Sequence, residues 1–286
     1  MSAPSLLSLP GSHWIFNPSV AVPAVGAAVL YLLAVGHAAG RWPVRRTSAF
    51  LAGIGAVVLA LQSGIDSYDD RMLSDHMVQH LLLLLVAPPL LLGGRPVILA
   101  LRSLPPTRRA AFARGLDWSR RFTGPVQSLV LFTAAVLLTH LPSFYDATLR
   151  HALLHDAEHA LYLTVGVLMW SPLLDGDPLP RHRLSGIGKL VYLVVAMMPM
   201  ALIGAYLNRD SGLFYPAYGP SAHALGISAL NDQAQAGAIM WVVGGCIMVA
   251  VGLSAAVAAM VAEERRQVAR ESRAVPLVRP DGRPLA

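Results

Sequence analysis

The sequence predicts an all-α membrane protein, a polytopic bundle of seven transmembrane helices with its N-terminus outside and its C-terminus in the cytoplasm. Three observations predict this fold. Only 13% of the 286 residues are charged, against about 25% in an ordinary soluble domain. Several apolar segments reach the length of a membrane span, which is roughly 20 residues. The basic residues are concentrated in alternate connections between these segments, as orientation signals are.

Seven segments qualify as spans, with ends that sequence reasoning places only to within a few residues. They lie near residues 18–40, 47–65, 72–94, 125–141, 151–171, 187–207 and 232–262. Together they form a transmembrane domain over residues 18–262, preceded by an outer N-terminal tail at 1–17. The charged, proline-containing stretch 263–286 is predicted to be a disordered cytoplasmic tail.

The charge of the connections predicts the orientation. Of the 22 lysines and arginines, 19 lie in the connections after the first, third and fifth spans or in the C-terminal tail. Positive residues accumulate on the cytoplasmic side, so these connections are assigned inside. The formal net charge of +6 is thereby explained without nucleic-acid binding, since no basic patch is interleaved with aromatic residues. The remaining basic residues are Arg71, Arg150 and Arg209.

Histidines mark one end of the predicted bundle. The third and fifth spans each begin with two histidines four residues apart, a spacing that projects both imidazoles from one helix face. A further histidine closes the fourth span at the same, outer end. The predicted metal ligands are therefore His76, His80, His140, His155 and His159. A site built of imidazoles suits copper or zinc and poorly suits magnesium or calcium.

Other polar or sulfur-containing side chains are expected at the same level. An imidazole that binds a metal through one nitrogen commonly donates the N–H of its other nitrogen to a carboxylate. Asp75, near His76, and Glu158, on the fifth span, are the predicted carboxylate acceptors. Met77 is a candidate thioether ligand, and Asp232 opens the seventh span at the outer end. The single cysteine, at position 246, excludes an intramolecular disulfide and a site built of paired cysteines.

The order of motifs resembles the CtaG family of bacterial cytochrome c oxidase assembly factors, which is associated with caa3-type oxidases. The resemblance covers roughly residues 70–245 and is carried by several segments in order. These are HMVQH at 76–80, APPLLLG at 87–93, HLP at 140–142, HDAEH at 155–159, MWSP at 169–172, LFYP at 213–216 and DQAQAGAIMW at 232–241. The matching outer polar residues are His76, His80, His140, His155, His159 and Asp232.

The resemblance implies an assembly factor in the bacterial plasma (inner) membrane, with a metal site facing outside. It implies copper handling there, to load the copper B centre of the oxidase catalytic subunit. Copper is the expected cargo, with Cu(I) favoured and zinc as the alternative. The expected partners are the catalytic subunit of a haem-copper oxidase, a periplasmic copper donor and membrane lipid, and a glycine face on the seventh span allows a homodimer.

An enzyme is not expected, although the same histidines leave other functions open. His155 to His159 matches the His-x-x-Glu-His signature of zinc peptidases, but no further ligand motif accompanies it. Di-iron enzymes also use histidine boxes on membrane helices, yet their boxes face the cytoplasm. A b-type haem held between His80 and His159, or a copper transporter, are the remaining alternatives. No ladder of metal ligands continues into the inner half of the spans to support a transporter.

Overall fold

A computed structural model describes residues 13–119, 124–174, 184–209 and 212–274. Within these ranges every regular element is a helix, which confirms the all-α prediction. The first half contains α1 (Pro18–His37), α2 (Val44–Gln62), α3 (Gly64–Tyr68), α4 (Leu73–Leu81), a π-helical turn (Leu82–Val86), α5 (Ala87–Gly93), α6 (Pro96–Ser103) and α7 (Pro106–Ser119). The second half contains α8 (Pro125–Thr139), α9 (Pro142–Thr148), α10 (Ala152–Trp170), α11 (Gly186–Leu207), a 3₁₀ turn (Pro216–Tyr218), α12 (Gly219–Ala224), α13 (Ala229–Ala238), a second π-helical turn (Ile239–Val243) and α14 (Gly244–Ala274).

Long apolar helices make this a membrane protein. Five helical paths among the described residues are long and apolar enough to cross a bilayer. They are Pro18–His37, Val44–Tyr68, Leu73–Ser103, Gly186–Leu207 and Ala229–Arg270. A sixth is formed if α8 and α9, which meet at an angle of 77°, count as one span.

The predicted fifth span corresponds to α10, which is 19 residues long. This helix is not among the apolar paths, because four ionisable side chains lie in its first half. They are His155, Asp156, Glu158 and His159. Two of them, Glu158 and His159, are buried inside the protein, so their polarity faces protein rather than lipid.

Two consecutive prolines interrupt the third path without ending it. Proline has no backbone N–H, so Pro88 leaves the carbonyl of Leu84, four residues earlier, without its helical partner. The indole Nε1–H of Trp170 donates to this carbonyl at 3.0 Å. The π-helical turn directly before the prolines absorbs the irregularity. The sequence predicts a break or kink at these prolines, and the structure has an irregular turn there within one helical path, Leu73–Ser103.

A glycine allows α10 to pack closely on this irregular segment. A Cβ built on Gly166 would lie 2.8 Å from Cγ of Pro88 and 2.9 Å from the carbonyl oxygen of Leu84. Real Cβ atoms do not approach other atoms so closely, so only glycine fits without displacement of a helix. The close approach aligns α10 with the path that contains α4.

The last helix extends beyond its predicted end. The sequence predicts a disordered tail from residue 263, whereas α14 remains helical as far as Ala274. Glu263 and Arg266, three residues apart on this exposed stretch, form an ion pair of 3.8 Å. Such pairs support a solvated helix. The rest of the predicted tail, 275–286, and most of the predicted N-terminal tail, 1–12, lie outside the described residues.

The glycine face of the seventh span is occupied within the chain. A Cβ on Gly237 would lie 2.5 Å from the carbonyl oxygen of Gly204 on α11. A Cβ on Gly252 would overlap the side chain of Leu193, also on α11. Because these glycines already pack against α11, they do not provide the free face that would allow a homodimer.

Candidate metal centre

Five imidazoles lie together at one end of the bundle, and we call them the histidine cluster. They belong to His76 and His80 on α4, His140 directly after α8, and His155 and His159 on α10. Within each helical pair the ring centroids are 4.2 Å apart. Between helices they are 5.1 Å apart for His76 and His155, and 6.2 Å for His80 and His159. His140 is 6.1 Å from His80.

Two imidazoles of the cluster, those of His76 and His80, and the carboxylate of Glu158 are buried and can hold one metal ion together, and we call these three side chains the deep group. The Nε2 atoms of His76 and His80 are 2.7 Å apart. Oε1 of Glu158 lies 4.0 Å from Nε2 of His80. One ligand atom from each of the three residues lies within 4.8 Å of the other two. Two imidazoles and a carboxylate form a donor set that suits zinc or copper.

A second set, the rim group, consists of Asp69, His76 and His155, with ligand atoms again within 4.8 Å of one another. Nε2 of His155 lies 3.6 Å from Oδ2 of Asp69. Asp69 occupies the turn between α3 and α4. Burial raises the pKa of its carboxyl well above the usual range, and the charges of Asp66 and Asp70 raise it further. A cation beside Asp69 would favour the ionised carboxylate.

Hydrogen bonds determine which nitrogen of two imidazoles is free. Nδ1 of His76 lies 3.2 Å from the hydroxyl of Tyr218 and 3.4 Å from the carbonyl oxygen of Asp69. The Tyr218 hydroxyl donates its hydrogen to that same carbonyl at 2.8 Å, so both neighbours of Nδ1 act as acceptors. Nδ1 of His76 is therefore protonated, and Nε2 carries the lone pair. His140 is similar, since its Nδ1 donates to the carbonyl of Val136 at 2.8 Å.

Gln79 determines the tautomer of His159. The amide Nε2 of Gln79 donates to the carbonyl of Ala60 and to Oδ1 of Asp66, each at 3.1 Å. Because both partners accept, the orientation of the amide is defined, and its Oε1 accepts from Nε2 of His159 at 3.0 Å. Nδ1 of His159 is then the nitrogen with a free lone pair. This network also ties α10 to α4 and to the α2–α3 region.

Several potential ligand atoms of the centre are buried without a hydrogen-bond partner among the described residues. They are Oδ2 of Asp69, Nδ1 of His80, Nε2 of His140, Nε2 of His155 and both carboxylate oxygens of Glu158. Buried polar atoms are nearly always paired, because an unpaired one costs on the order of 1–3 kcal/mol. So many unpaired nitrogen and oxygen atoms around one small space fit a bound cation.

Asp232 supports the cluster from a distant part of the chain. Its Oδ2 accepts the backbone N–H of Leu73 at 2.7 Å, and its Oδ1 accepts the backbone N–H of Ser74 at 3.2 Å and the Ser74 hydroxyl. The residue preceding α4, Met72, provides no side-chain cap. Asp232 therefore caps the helix that holds His76 and His80, and is bonded to backbone rather than to an imidazole.

Among the other residues predicted to support the site, Glu158 is part of the deep group and Asp75 is in neither candidate ligand set. Asp75 is fully buried, but neither carboxylate oxygen has a hydrogen-bond partner in the described structure. Adjacent residues of a helix point about 100° apart, so Asp75 diverges from its neighbour His76. Met77 packs into the apolar core instead of the cluster. The carboxylate of Glu158 faces His80 on another helix.

Sequence reasoning missed Asp69, Gln79 and Tyr218. Asp69 precedes His76 by seven residues, and only the chain reversal between α3 and α4 brings the two together. Its signal was the run of aspartates at 66, 69 and 70 beside a span, where ionisable residues usually have a function. Tyr218 comes from a 3₁₀ turn far along the chain, and no local pattern indicates its contact.

An apolar cavity of about 670 Å³ borders the cluster. It lies between α1, α2, α5 and α10, with residues such as Ile54, Leu91 and Leu163 in its walls. At one end it is lined by Asp66, Asp156 and His159. His159 thus separates the metal-binding region from an apolar space at the side of the bundle.

Curated relatives of this chain come from mycobacteria. Uncharacterized proteins of Mycobacterium bovis and Mycobacterium tuberculosis are each 33% identical over 270 residues, which cover 87% of this chain and 40% of theirs. An uncharacterized protein of Mycobacterium leprae is 27% identical over 241 residues, covering 80% of this chain and 36% of its own length. The chain thus spans about two fifths of the length of these relatives.

No solved structure is significantly similar to the chain. The sequence profile of the cytochrome c oxidase caa3 assembly factors (Caa3_CtaG) matches residues 29–262, which include all the described helices from α2 to α13 and all five imidazoles of the cluster. The match covers most of the chain and agrees with the motif order. The protein belongs to the cytochrome c oxidase caa3 assembly factor family.

Proposed function

We propose that this protein binds copper in the histidine cluster and loads it into the copper B centre of a haem-copper oxidase catalytic subunit during assembly. The family supports a role in oxidase assembly. The observation that carries the copper proposal is the set of buried, unpaired nitrogen and oxygen atoms around His80, His155 and Glu158. Imidazole and carboxylate groups in this arrangement are good ligands for copper and zinc.

The donor set bears on the oxidation state of the metal. Soft thioether or thiolate ligands favour Cu(I), but Met77 is directed into the apolar core. Cys246, the single cysteine, is exposed on α14 and is not one of the candidate ligands. Imidazoles with carboxylates accept Cu(II) and Zn(II) as well as Cu(I). The metal must therefore be tested in both oxidation states, with zinc as the alternative.

We place the cluster at the outer face of the bacterial plasma membrane, in a bundle of seven spans with the N-terminus outside. Along α2 and α10 the histidine cluster lies at the end opposite to a cavity of about 1040 Å³. Arg45, Arg46 and Arg95 line that cavity. Because basic residues collect on the cytoplasmic side, this separation supports an outward-facing metal centre. A periplasmic copper donor would have access to it there.

The experiment compares copper content in two double variants. His76→Ala with His80→Ala removes both imidazoles of α4, and His37→Ala with His223→Ala removes two exposed imidazoles outside the cluster. Each protein is purified from membranes, loaded under reducing and oxidising conditions, and analysed for copper and zinc. Oxidase maturation is measured in cells that carry each variant.

We expect stoichiometric copper in the wild type and in the control, and near-complete loss in His76→Ala with His80→Ala. That variant should also fail to support a copper-containing oxidase while it inserts normally into the membrane. Stoichiometric copper in the inserted cluster variant would exclude these imidazoles as ligands. Zinc bound in place of copper under both conditions would overturn the copper assignment.

A further inference from the structure

The deep and rim groups have the same composition and share one residue. Each consists of two imidazoles and one carboxylate, and His76 belongs to both. The rings of His80 and His155 lie on either side of His76, with centroids 4.2 Å and 5.1 Å from it. A metal ion that moved between the groups would keep His76 as a ligand and replace its two other ligands.

The two groups differ in their access to solvent. In the rim group the side chains of His155 and Asp69 are 17% and 6% exposed. In the deep group those of His80 and Glu158 are 3% and 0% exposed. His76, between them, is fully buried. Solvent thus reaches the cluster at the rim group first, and the deep group lies behind it.

Carboxylates surround the exposed side of the rim group. Asp70 and Asp156 are exposed and act electrostatically on His155. Asp66 is half-buried and interacts with both of these aspartates. Arg71, which is also exposed, pairs with Asp70 at 3.7 Å. A concentration of one charge around an opening raises the rate at which the opposite charge arrives.

We propose that the rim group is a separate receiving position, where a metal cation binds first before it passes to the deep group by ligand exchange on His76. This inference rests on the proposed function and adds the order in which the ligands act. The incoming cation binds to Asp69, His155 and His76. Its bonds to Asp69 and His155 then break as bonds to His80 and Glu158 form, and the bond to His76 is kept.

The exchange balances without an oxidant or a reductant. One carboxylate and one imidazole leave the metal as one carboxylate and one imidazole bind, so the metal keeps its oxidation state and its ligand charge. Nδ1 of His76 carries the proton of that ring, so Nε2 of His76 can only accept a hydrogen bond. In the 2.7 Å contact between Nε2 of His76 and Nε2 of His80, the Nε2–H of His80 is therefore the donor. For His80 to bind through Nε2, its proton moves to Nδ1, which is buried and has no partner among the described residues.

The test separates the rate of metal uptake from the affinity at equilibrium. Asp69→Asn and Glu158→Gln each remove one carboxylate charge with almost no change of size. Cu²⁺ alone is mixed with the purified protein in detergent, and loading is followed by stopped-flow absorbance. Affinity is measured by competition with a chelator, and the unfolding temperature of each variant reports whether it is folded. Asp69→Glu, which restores the charge, serves as the rescue variant.

We expect Asp69→Asn to slow both uptake and release by at least about tenfold while the equilibrium affinity changes little, because a receiving position alters both directions equally. Asp69→Glu should recover much of the rate. Glu158→Gln should leave initial uptake unchanged and weaken affinity by roughly 10- to 100-fold, as loss of a metal-supporting carboxylate does.

Two results would overturn the inference. Equal loss of affinity in both variants, with uptake unchanged, would mean that one site uses both carboxylates. Wild-type kinetics in a folded Asp69→Asn variant would exclude a receiving position. Failure of the wild type to bind copper at all would instead refute the proposed function, so the two failures are distinguishable.

Discussion

The carboxylate of Asp232 accepts the backbone N–H of Leu73 at 2.7 Å, across a separation of 159 residues in the chain. Leu73 is the first residue of α4, so a side chain from α13 caps the helix that carries two imidazoles of the cluster. The bonds are buried and one partner is charged. The geometry of the metal centre therefore depends on contact between the third and seventh predicted spans.

Replacement of this cap should be costly. We expect Asp232→Ala to lower the free energy of unfolding by about 2 kcal/mol, because it leaves the buried donors of Leu73 and Ser74 unpaired. Thermal unfolding in detergent measures the loss. The control is Asp70→Ala, whose side chain is exposed and forms a surface ion pair with Arg71, and which should shift stability by less than about 0.5 kcal/mol. Equal shifts in the two variants would contradict the capping role.

The Tyr218 hydroxyl should influence metal affinity through His76. Tyr218→Phe removes the nearer of the two acceptors beside Nδ1 of His76 and leaves only the carbonyl of Asp69 at 3.4 Å, so the lone pair is held less firmly on Nε2. We expect copper affinity to fall by roughly 10-fold or more, as it does when an outer partner of a ligating imidazole is lost. Chelator competition measures the affinity.

Tyr192→Phe is the matched control for that experiment. Its hydroxyl is also buried and donates to a backbone carbonyl, that of Met169 at 3.0 Å, but it lies on α11 away from the cluster. Stability should fall by a similar amount in both variants, about 1 kcal/mol. A comparable loss of copper affinity in Tyr192→Phe would mean that the effect of Tyr218 is only structural.

Close packing of α10 on the proline-containing segment gives a third prediction. Gly166→Ala should destabilise the protein by about 1–3 kcal/mol, because the added methyl group meets Pro88 and the Leu84 carbonyl. The control is Gly26→Ala on α1, where an added Cβ meets nothing within 4 Å. In that helix alanine should be neutral or stabilising, by up to about 1 kcal/mol. A tolerated Gly166→Ala would show that the two helices can separate without cost.

Membrane orientation can be tested with single cysteines in a Cys246→Ser background. His151→Cys places a thiol at the histidine end, and Arg270→Cys places one near the end of α14; both positions are exposed. A membrane-impermeant maleimide should label His151→Cys in intact cells, and Arg270→Cys only after permeabilisation. The opposite pattern would place the histidine cluster in the cytoplasm and refute loading from outside.

Helical spacing and charge bias predict much of the candidate site. The four-residue interval places His76 with His80, and His155 with His159, on single helix faces. The alternating charge of the connections assigns both pairs and His140 to one end of the bundle. Helical spacing and the charge of the connections can both be read from the local sequence. The ring contacts of His80 with His140 and His159, and of His76 with His155, agree with both inferences.

Contacts made across the chain were not predictable in the same way. Asp69 meets His155 because the chain reverses after α3, and Tyr218 meets His76 from a 3₁₀ turn more than a hundred residues later. Met77 has the position of a thioether ligand in the sequence, but its side chain is buried in the apolar core. Spacing defines a helix face, and only tertiary packing decides what that face meets.

The π-helical turn at Leu82–Val86 has a consequence for insertions and deletions. Such a turn accommodates one residue more than a regular helix of the same length. Removal of a single leucine from this run would therefore restore a regular helix with both halves still facing their present neighbours, whereas removal of a second leucine would rotate one half of the path by about 100° against the other. Either the imidazoles of α4 or the proline that meets Gly166 would then face the wrong neighbour. The leucine run can therefore lose one residue without misdirecting either half of the path, but not two.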